Sequence, residues 1–506
     1  MRVAIAALGL MVSGCQPVAQ TLGGVDLSKP MRVLGTEPFW GVEISPTELV
    51  FTGVDRPDFR APNPGVRIEG EMAVIAARRA FEGAWGALSA LERGRILMRV
   101  QRLILDHLEE LAQIESRDCG KPLKQARNDA TACARYFEFY AGAADKFGGQ
   151  SIPYQAGYTV LTLREPHGVT GHIIPWNYPL QIFGRSVAAA LAAGNACVVK
   201  PAEDACLSLL RLAELMAEAG LPDGALNIVP GLGSEAGACL AAHAGIDHIS
   251  FTGSPETGTR VSQAAALHHH PVTMELGGKS PQVVFADTDL DSAIPVLVNA
   301  VVQNAGQTCS AGSRLLIERS IYETLLERLG AAFAELRVGP PQADLDCGPL
   351  IRASQQQRVM TFIDMAQRDG IGLAGKGTVV AAASPTGYYQ APVLLRDVPA
   401  NHRLAQEEVF GPVLVAMPFA DEAEALRIAN ATRFGLVAGV WTRDGGRQLR
   451  MAHGLKSGQV FINNYGAGGG VELPFGGVKA SGHGREKGIE GMLSFTTLKT
   501  IAIRHA

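Results

Sequence analysis

Apolar residues recur at helical spacing over three long stretches, 73–90, 91–116 and 128–147, whose abundance of Ala, Leu, Arg and Glu predicts amphipathic helices. Beyond them the period shortens. Runs of strand length at 169–174, 196–199, 226–229 and 248–251 are nearly continuous in apolar residues, as strands covered on both faces must be, and they alternate with helices. The helix between the second and third carries Leu209, Leu212, Leu215 and Met216 on one face and stops at Gly220, with Pro222 just beyond. This alternation predicts an α/β fold with a doubly wound parallel sheet, whose ligands sit at the carboxyl ends of the strands. A second α/β segment begins near Ser280 and continues through apolar runs at 282–285, 315–317, 412–416 and 459–462. Two further apolar strands, 158–163 and 497–503, fall outside both sheets; exposed edges of this kind commonly pair with another subunit, so an oligomer is expected.

Residues 1–70 have a different texture. Arg2, the apolar stretch 3–12 and Val12-Ser-Gly-Cys15 have the charged, greasy and small-residue zones of a secretory signal and resemble a lipoprotein signal with Cys15 as the lipidated residue. About ten apolar residues are too few to span a bilayer. After them, 31–41 and 42–51 read as short strands with turns, too small a fragment to bury a core alone. Two readings stand: an export signal, or a fused or misplaced start.

At 506 residues, 47% apolar and 19% charged, the chain can bury a large core and has the length of about three domains. Its net charge of −4 gives no general attraction to nucleic acid or anionic membrane, which leaves small-molecule chemistry. Eight cysteines are scattered without Cys-x-x-Cys pairs, as free thiols in a reducing compartment would be, and no metal site is expected. The contiguous His268, His269 and His270 cannot converge on one ion and read as a polar connection.

Against this background one thiol and one carboxylate stand out. Cys309 lies in Asn304-Ala-Gly-Gln-Thr-Cys-Ser310 and Glu275 in Met274-Glu-Leu-Gly-Gly-Lys-Ser-Pro281, the pair of groups needed to form a thioester and hydrolyse it. At the end of the first strand, Pro175-Trp-Asn-Tyr-Pro179 fixes a strand-to-helix turn; there Asn177 either closes the turn or presents its amide to a substrate oxyanion. Lys200-Pro-Ala-Glu203 follows the next strand. Either it is a surface ion pair, or Glu203 accepts from an adenosine ribose while Lys200 donates, and an acid there favours NAD over NADP. Gly231-Leu-Gly-Ser-Glu-Ala-Gly237, with Gly233, and Phe251-Thr-Gly-Ser-Pro-Glu-Thr-Gly258 each join a strand to a helix, where missing β-carbons and free N–H groups admit a phosphate. The second is preferred for a pyrophosphate, with Gly253 and Ser254 nearest, because Ser254 adds a hydroxyl.

With Glu407-Glu-Val-Phe-Gly-Pro412 and Pro474-Phe-Gly-Gly-Val-Lys479, these motifs occur in the order found in the NAD(P)-dependent aldehyde dehydrogenase superfamily, which residues from about 71 to 506 resemble. The resemblance implies a Rossmann-like cofactor domain (71–142 and 167–277), an α/β catalytic domain (278–480) and a small β oligomerisation flap (143–166 and 481–506), assembled as a homodimer or homotetramer. It makes Cys309 the nucleophile, Glu275 the base for hydrolysis and the Asn177 amide part of the oxyanion hole. Ile173, Trp176, Glu408 and Phe410 join the cofactor-binding set, with Glu408 on the nicotinamide ribose. Glu486 matches a position that some members use to relay protons, and Lys279 and Lys479 are expected to structure loops. The function implied is NAD-dependent oxidation of an aldehyde to the acid. The alternatives are acyl transfer to coenzyme A, which Glu275 argues against, and a lipid-anchored binding protein that has kept the fold without turnover. A soluble cofactor and a reduced thiol place such an enzyme in the cytoplasm. The strands that usually open the cofactor domain have no good match before residue 71, a loss expected to weaken folding or assembly. Relatives often carry Lys where this chain has Ser186; the nearest cation is Arg185, one place earlier, and a neighbouring helix position points elsewhere. The helix segment 136–140 and the loop 466–472 are expected to line the substrate tunnel or to be plain core and loop.

Overall fold

The computed structural model describes residues 70–466 and 470–505 in full, and before them only the backbone of 63–69 and of short strands within 21–53. Among those strands Trp40–Ile44 and Leu49–Gly53 pair as an antiparallel hairpin; the signal-like residues 1–15 lie outside the described residues.

Four helices open the main body: α1 (Asn63–Glu82), α2 (Ala90–Asp106), α3 (Leu108–Cys119) and α4 (Leu123–Ala143). The expected breaks shift for local reasons. Ser89 caps α2 with a capping box, its hydroxyl accepting from the Glu92 N–H at 3.3 Å and the Glu92 carboxylate accepting from the Ser89 N–H at 2.8 Å. Helix α3 ends at Gly120, whose φ of 78° closes the turn, and Pro122 then delays α4 until residue 123.

The first sheet is built from β2 (Val169–Ile174), β3 (Ala196–Pro201), β4 (Leu226–Ile228), β5 (His248–Thr252) and β6 (Val272–Glu275), following β1 (Tyr158–Pro166), which lies elsewhere. Its spatial order is β6-β5-β2-β3-β4, all parallel, with the two-residue strand Gly482–His483 antiparallel to β6. The chain therefore leaves β2 in one direction and returns to its other side, which opens a crevice beyond the carboxyl ends of β2 and β5. Strand β6 was not foreseen, because it is only four residues long and its last two, Met274 and Glu275, belong to the Glu275 motif. Helix α5 (Pro179–Ala193), buried almost throughout, follows β2, and α6 (Leu207–Glu218) ends before Gly220 at φ 86°.

The second sheet has seven strands. Pro281–Val284, Arg314–Glu318, Val413–Phe419 and Gln459–Ile462 correspond to the anticipated runs; Gly372–Lys376, Val393–Arg396 and Val437–Trp441 are additional. Each sheet has its own buried apolar cluster, one around Phe137, Phe183 and Leu212 and the other around Phe285, Phe333 and Phe419. Thr496–Arg504 pairs antiparallel with β1 over nine residues, outside both sheets as expected. No helix among the described residues is long and apolar enough to cross a membrane, and none of their His, Cys, Asp or Glu side chains form a metal-binding cluster.

Candidate active site

The loops that carry Cys309, Glu275 and Glu408 meet at one place. Cys309 follows a 3-10 turn (Gln303–Gly306) in which Asn304 and Ala305 are held at φ 50° and 52°, a left-handed conformation that L-residues adopt only when their surroundings impose it. The two glycines after Glu275 explain why that motif takes its form. A β-carbon on Gly278 would stand 2.4 Å from the Cys309 carbonyl oxygen, and one on Gly277 would stand 2.2 Å from a Glu408 carboxylate oxygen. The Gly278 N–H then donates to the Glu408 carboxylate at 2.9 Å, so the loops of Glu275 and Cys309 meet backbone to backbone and the Glu408 side chain joins them.

Asn177, buried in the turn between β2 and α5, donates from its side-chain amide to the Gln307 carbonyl at 3.1 Å. Its own carbonyl accepts from Asn304 Nδ2 at 2.9 Å. Turn and thiol loop are thereby tied in both directions, and one N–H of the Asn177 amide remains for another acceptor. Tyr178 shares a hydrogen bond with Thr308, the residue before Cys309, at 2.8 Å.

Glu275 ends β6 with both carboxylate oxygens buried and, among the described residues, without a hydrogen-bond partner. Burial pushes its pKa well above the usual carboxylate range; the Glu486 carboxylate adds to this, and Arg185 opposes it. Beside it Arg185 forms an ion pair with the fully buried Glu486, reaches Thr252 Oγ1 at 3.3 Å and lies over the Phe475 ring at 5.0 Å. Glu486 also accepts from Ser250 Oγ at 2.9 Å. The two neighbouring positions face different groups, as register led one to expect: Arg185 extends its guanidinium to Glu486, while Ser186 turns its hydroxyl to the Ile182 carbonyl of its own helix.

The half-buried Cys309 packs against the cluster of Phe475, Tyr465 and Leu436. Burial pushes its thiol up to about 12, with Arg185 and the Ser310 N–H pulling downward and Glu408 and Glu275 upward. The thiolate fraction therefore diminishes as pH falls below the thiol pKa. Alkylation of Cys309 by iodoacetamide in the cofactor-free protein should therefore rise about tenfold per pH unit between about pH 7 and 10. Peptide mapping of the label checks this, and a plateau below about pH 8 would contradict it.

The remaining residues line the carboxyl edge of the first sheet. Ile173 is in β2, and the Trp176 ring meets Phe410 edge-on at 5.4 Å. Lys200 is buried at the end of β3 and donates to Glu203 at 3.0 Å; burial acts to raise the Glu203 pKa, but Lys200, the Glu203 backbone N–H and Arg352 together more than offset it, leaving the carboxylate below its usual range. A β-carbon on Gly233 would lie 3.9 Å from Lys200 Nζ, so the turn after β4 faces the same lysine. Gly253 and Ser254 follow β5. Ser254 is the N-cap of the helix Pro255–Ala266, its hydroxyl accepting from the Thr257 N–H at 3.2 Å and donating to Thr257 Oγ1 at 3.1 Å, so that hydroxyl already has partners. Burial raises the Glu408 pKa to about 7 against the pull of the Gly278 N–H.

Two lysines differ in role. Lys479 holds three carbonyls, of Asn430, Thr432 and Phe434, within 3.2 Å, whereas the fully buried Lys279 has no hydrogen-bond partner among the described residues. Tyr136, Phe137 and Tyr140 belong to the core rather than to an open tunnel wall, Tyr136 packing against Gly184 of α5. Residues 467–469 of the glycine loop lie outside the described residues.

The sequence profile of the aldehyde dehydrogenase family matches residues 67–501. A hydroxyisobutyraldehyde dehydrogenase of Mycolicibacterium austroafricanum is 42% identical over 432 residues, covering 85% of each chain. A Burkholderia cenocepacia crystal structure with a provisional aldehyde dehydrogenase assignment superposes with a TM-score of 0.87 at 72% identity, over 89% of this chain and 94% of that one. An NAD+ complex of an aldehyde dehydrogenase from Bacillus cereus gives 0.84 at 40% identity, over 87% and 89%.

Proposed function

Because this chain belongs to the aldehyde dehydrogenase family, we propose that it oxidises an aldehyde to the carboxylic acid with NAD, through a thioester on Cys309 that is hydrolysed by water activated at Glu275. The observation that carries this reading is the interlock of the Cys309, Asn177 and Glu275 loops, with a buried carboxylate that has no hydrogen-bond partner among the described residues.

The edge of the first sheet fits a dinucleotide. Lys200 and Glu203 offer a donor and an ionised acceptor for the adenosine ribose, and an acid there disfavours a 2′-phosphate. Gly233, Gly253 and the backbone of Ser254 serve the phosphates, while Ile173, Trp176, Glu408 and Phe410 bound the nicotinamide half. When bound, NAD supplies the acceptor for the hydride released as the thiohemiacetal becomes a thioester; the NAD+ complex of the Bacillus cereus relative supports this choice.

Cys309 attacks the aldehyde carbon as thiolate, and the free N–H of Asn177, with the backbone around Cys309, meets the oxygen on which charge develops. Asn177→Ala should lower the rate of the acylation step by about 10²–10³-fold, read as the NADH burst in stopped flow. Glu275 then removes a proton from water. Burial gives it a basicity that an exposed carboxylate lacks, and the neighbouring Glu486–Arg185 pair raises and moderates it in turn.

The deciding experiment supplies aldehydes and NAD with and without coenzyme A. NADH formed without coenzyme A, with free acid as product, is the expected result; NADH that appears only with coenzyme A would replace hydrolysis by acyl transfer. An aldehyde panel read by the same signal identifies the substrate. Assembly into a dimer or tetramer is supported by the edge strand Thr496–Arg504, where Leu498 and Ile503 are exposed. A reduced thiol and a soluble cofactor support a cytoplasmic location.

A further inference from the structure

A charged cluster with no part in the reaction above lies under the Asn177 turn. Lys121, in the connection between α3 and α4, is 1% exposed. An ammonium has three N–H donors, and each has a partner: Glu115 Oε1 at 3.0 Å, Asp129 Oδ2 at 2.5 Å and the backbone carbonyl of Asn177 at 2.9 Å. The ammonium also stands 4.5 Å from the centre of the Tyr178 ring. Glu115 and Asp129 are themselves buried, and their other oxygens do not face empty space. Glu115 accepts from the Leu180 N–H at 3.2 Å and Asp129 from Gln181 Nε2 at 2.6 Å. One lysine and two acids thus hold residues 177, 178, 180 and 181, the whole passage from turn into helix.

The partition of bonds at Asn177 gives this cluster its direction. The Asn177 carbonyl has two acceptor sites; Lys121 takes one from the helical side, and Asn304, in the loop that leads to Cys309, takes the other. With both engaged, the peptide plane between Asn177 and Tyr178 is fixed against two different elements. Charge pairing alone needs only the two carboxylates, so the third bond is the informative one. Stability is a poor reason for the arrangement, since buried ion clusters can often be replaced by apolar groups without loss. Geometry at a reacting centre is a better one, because a misplacement of about 1 Å costs on the order of 10²-fold in rate.

We propose that Lys121 is a positioning residue for the oxyanion hole: by holding the Asn177 carbonyl and the Tyr178 ring it sets where the Asn177 amide points relative to Cys309. The inference rests on the role given above to Asn177. Lys121 touches no substrate; it acts through the turn.

The test uses the full-length protein, NAD and a turned-over aldehyde, with the NADH burst rate measured in wild type, in Asn177→Ala, in the triple variant Lys121→Met/Glu115→Gln/Asp129→Asn, and in the two combined. The triple variant removes the acids that Lys121→Met alone would leave unpaired; Lys121→Met alone is run in parallel, so that whichever keeps the wild-type circular dichroism carries the measurement. The expected result is a burst slowed by about 10- to 100-fold with KM changed by less than about threefold, and less than about twofold further slowing when the same change is made in Asn177→Ala. A structural role would slow both backgrounds equally. Equal slowing, or an undiminished burst in a folded Lys121 variant, overturns the proposal while the role of Asn177 stands. A burst untouched by Asn177→Ala overturns that role, and this proposal with it.

Discussion

Replacing Cys309 by serine is expected to lower aldehyde oxidation by at least about 10³-fold, because a hydroxyl at neutral pH is a far poorer nucleophile than a thiol. The seat itself is preserved: the Cys309 carbonyl rests on Gly278, and the turn is tied to Asn177 through Gln307, so exchanging one atom leaves the backbone unmoved. Dinucleotide affinity and melting temperature should stay near wild type, which separates lost chemistry from lost structure. Mass spectrometry of wild type quenched during turnover should find an acyl adduct on Cys309 and none on the variant. Substantial oxidation by a folded Cys309→Ser protein would remove the thioester from the mechanism.

The second large effect divides the reaction in two. Glu275→Gln keeps the size of the side chain and removes its basicity, so acylation should proceed and hydrolysis should slow by about 10²–10⁴-fold. Stopped flow should record close to one NADH per site and then little more, and the acyl adduct should accumulate to be seen by mass. In wild type the same carboxylate predicts a pH profile. Burial and Glu486 hold its pKa well above the ordinary carboxylate range, and only the ionised form accepts a proton; steady-state turnover should therefore fall on the acid side at a pH well above that range. Normal steady-state turnover in Glu275→Gln would take Glu275 out of the base role.

The residues that meet at this site were legible in the sequence because chemistry there is written in backbone as well as side chains. Glycines beside Glu275 and prolines around Asn177 restrict what the chain can do, and such restrictions survive in a one-dimensional pattern. Strands β2 to β5 were legible for a related reason: burial on both faces keeps carboxylates out of the runs and leaves mostly uncharged polar positions, such as Thr170, Asn227 and Ser250, to interrupt them. Gly372–Lys376, with two glycines and exposed positions at the sheet edge, had no such signature. Lys121 was illegible from the opposite cause. A lysine in a Gly-Lys-Pro turn reads as solvated, and only the tertiary meeting of Glu115, Asp129 and Asn177 turns it inward. Tyr136 and Tyr140 left core and tunnel undecided, since an aromatic helix face is equally suited to both; the packing against Gly184 settled it for Tyr136.

The pairing of Arg185 with Glu486 bears on how relatives of this protein are sorted. A column-by-column comparison would register a serine at 186 and overlook that the cation one rung earlier on the helix, Arg185, meets the buried acid Glu486. Screens that select candidates by residue identity at single alignment columns would discard such chains. Filters based on which charges meet in space would keep them.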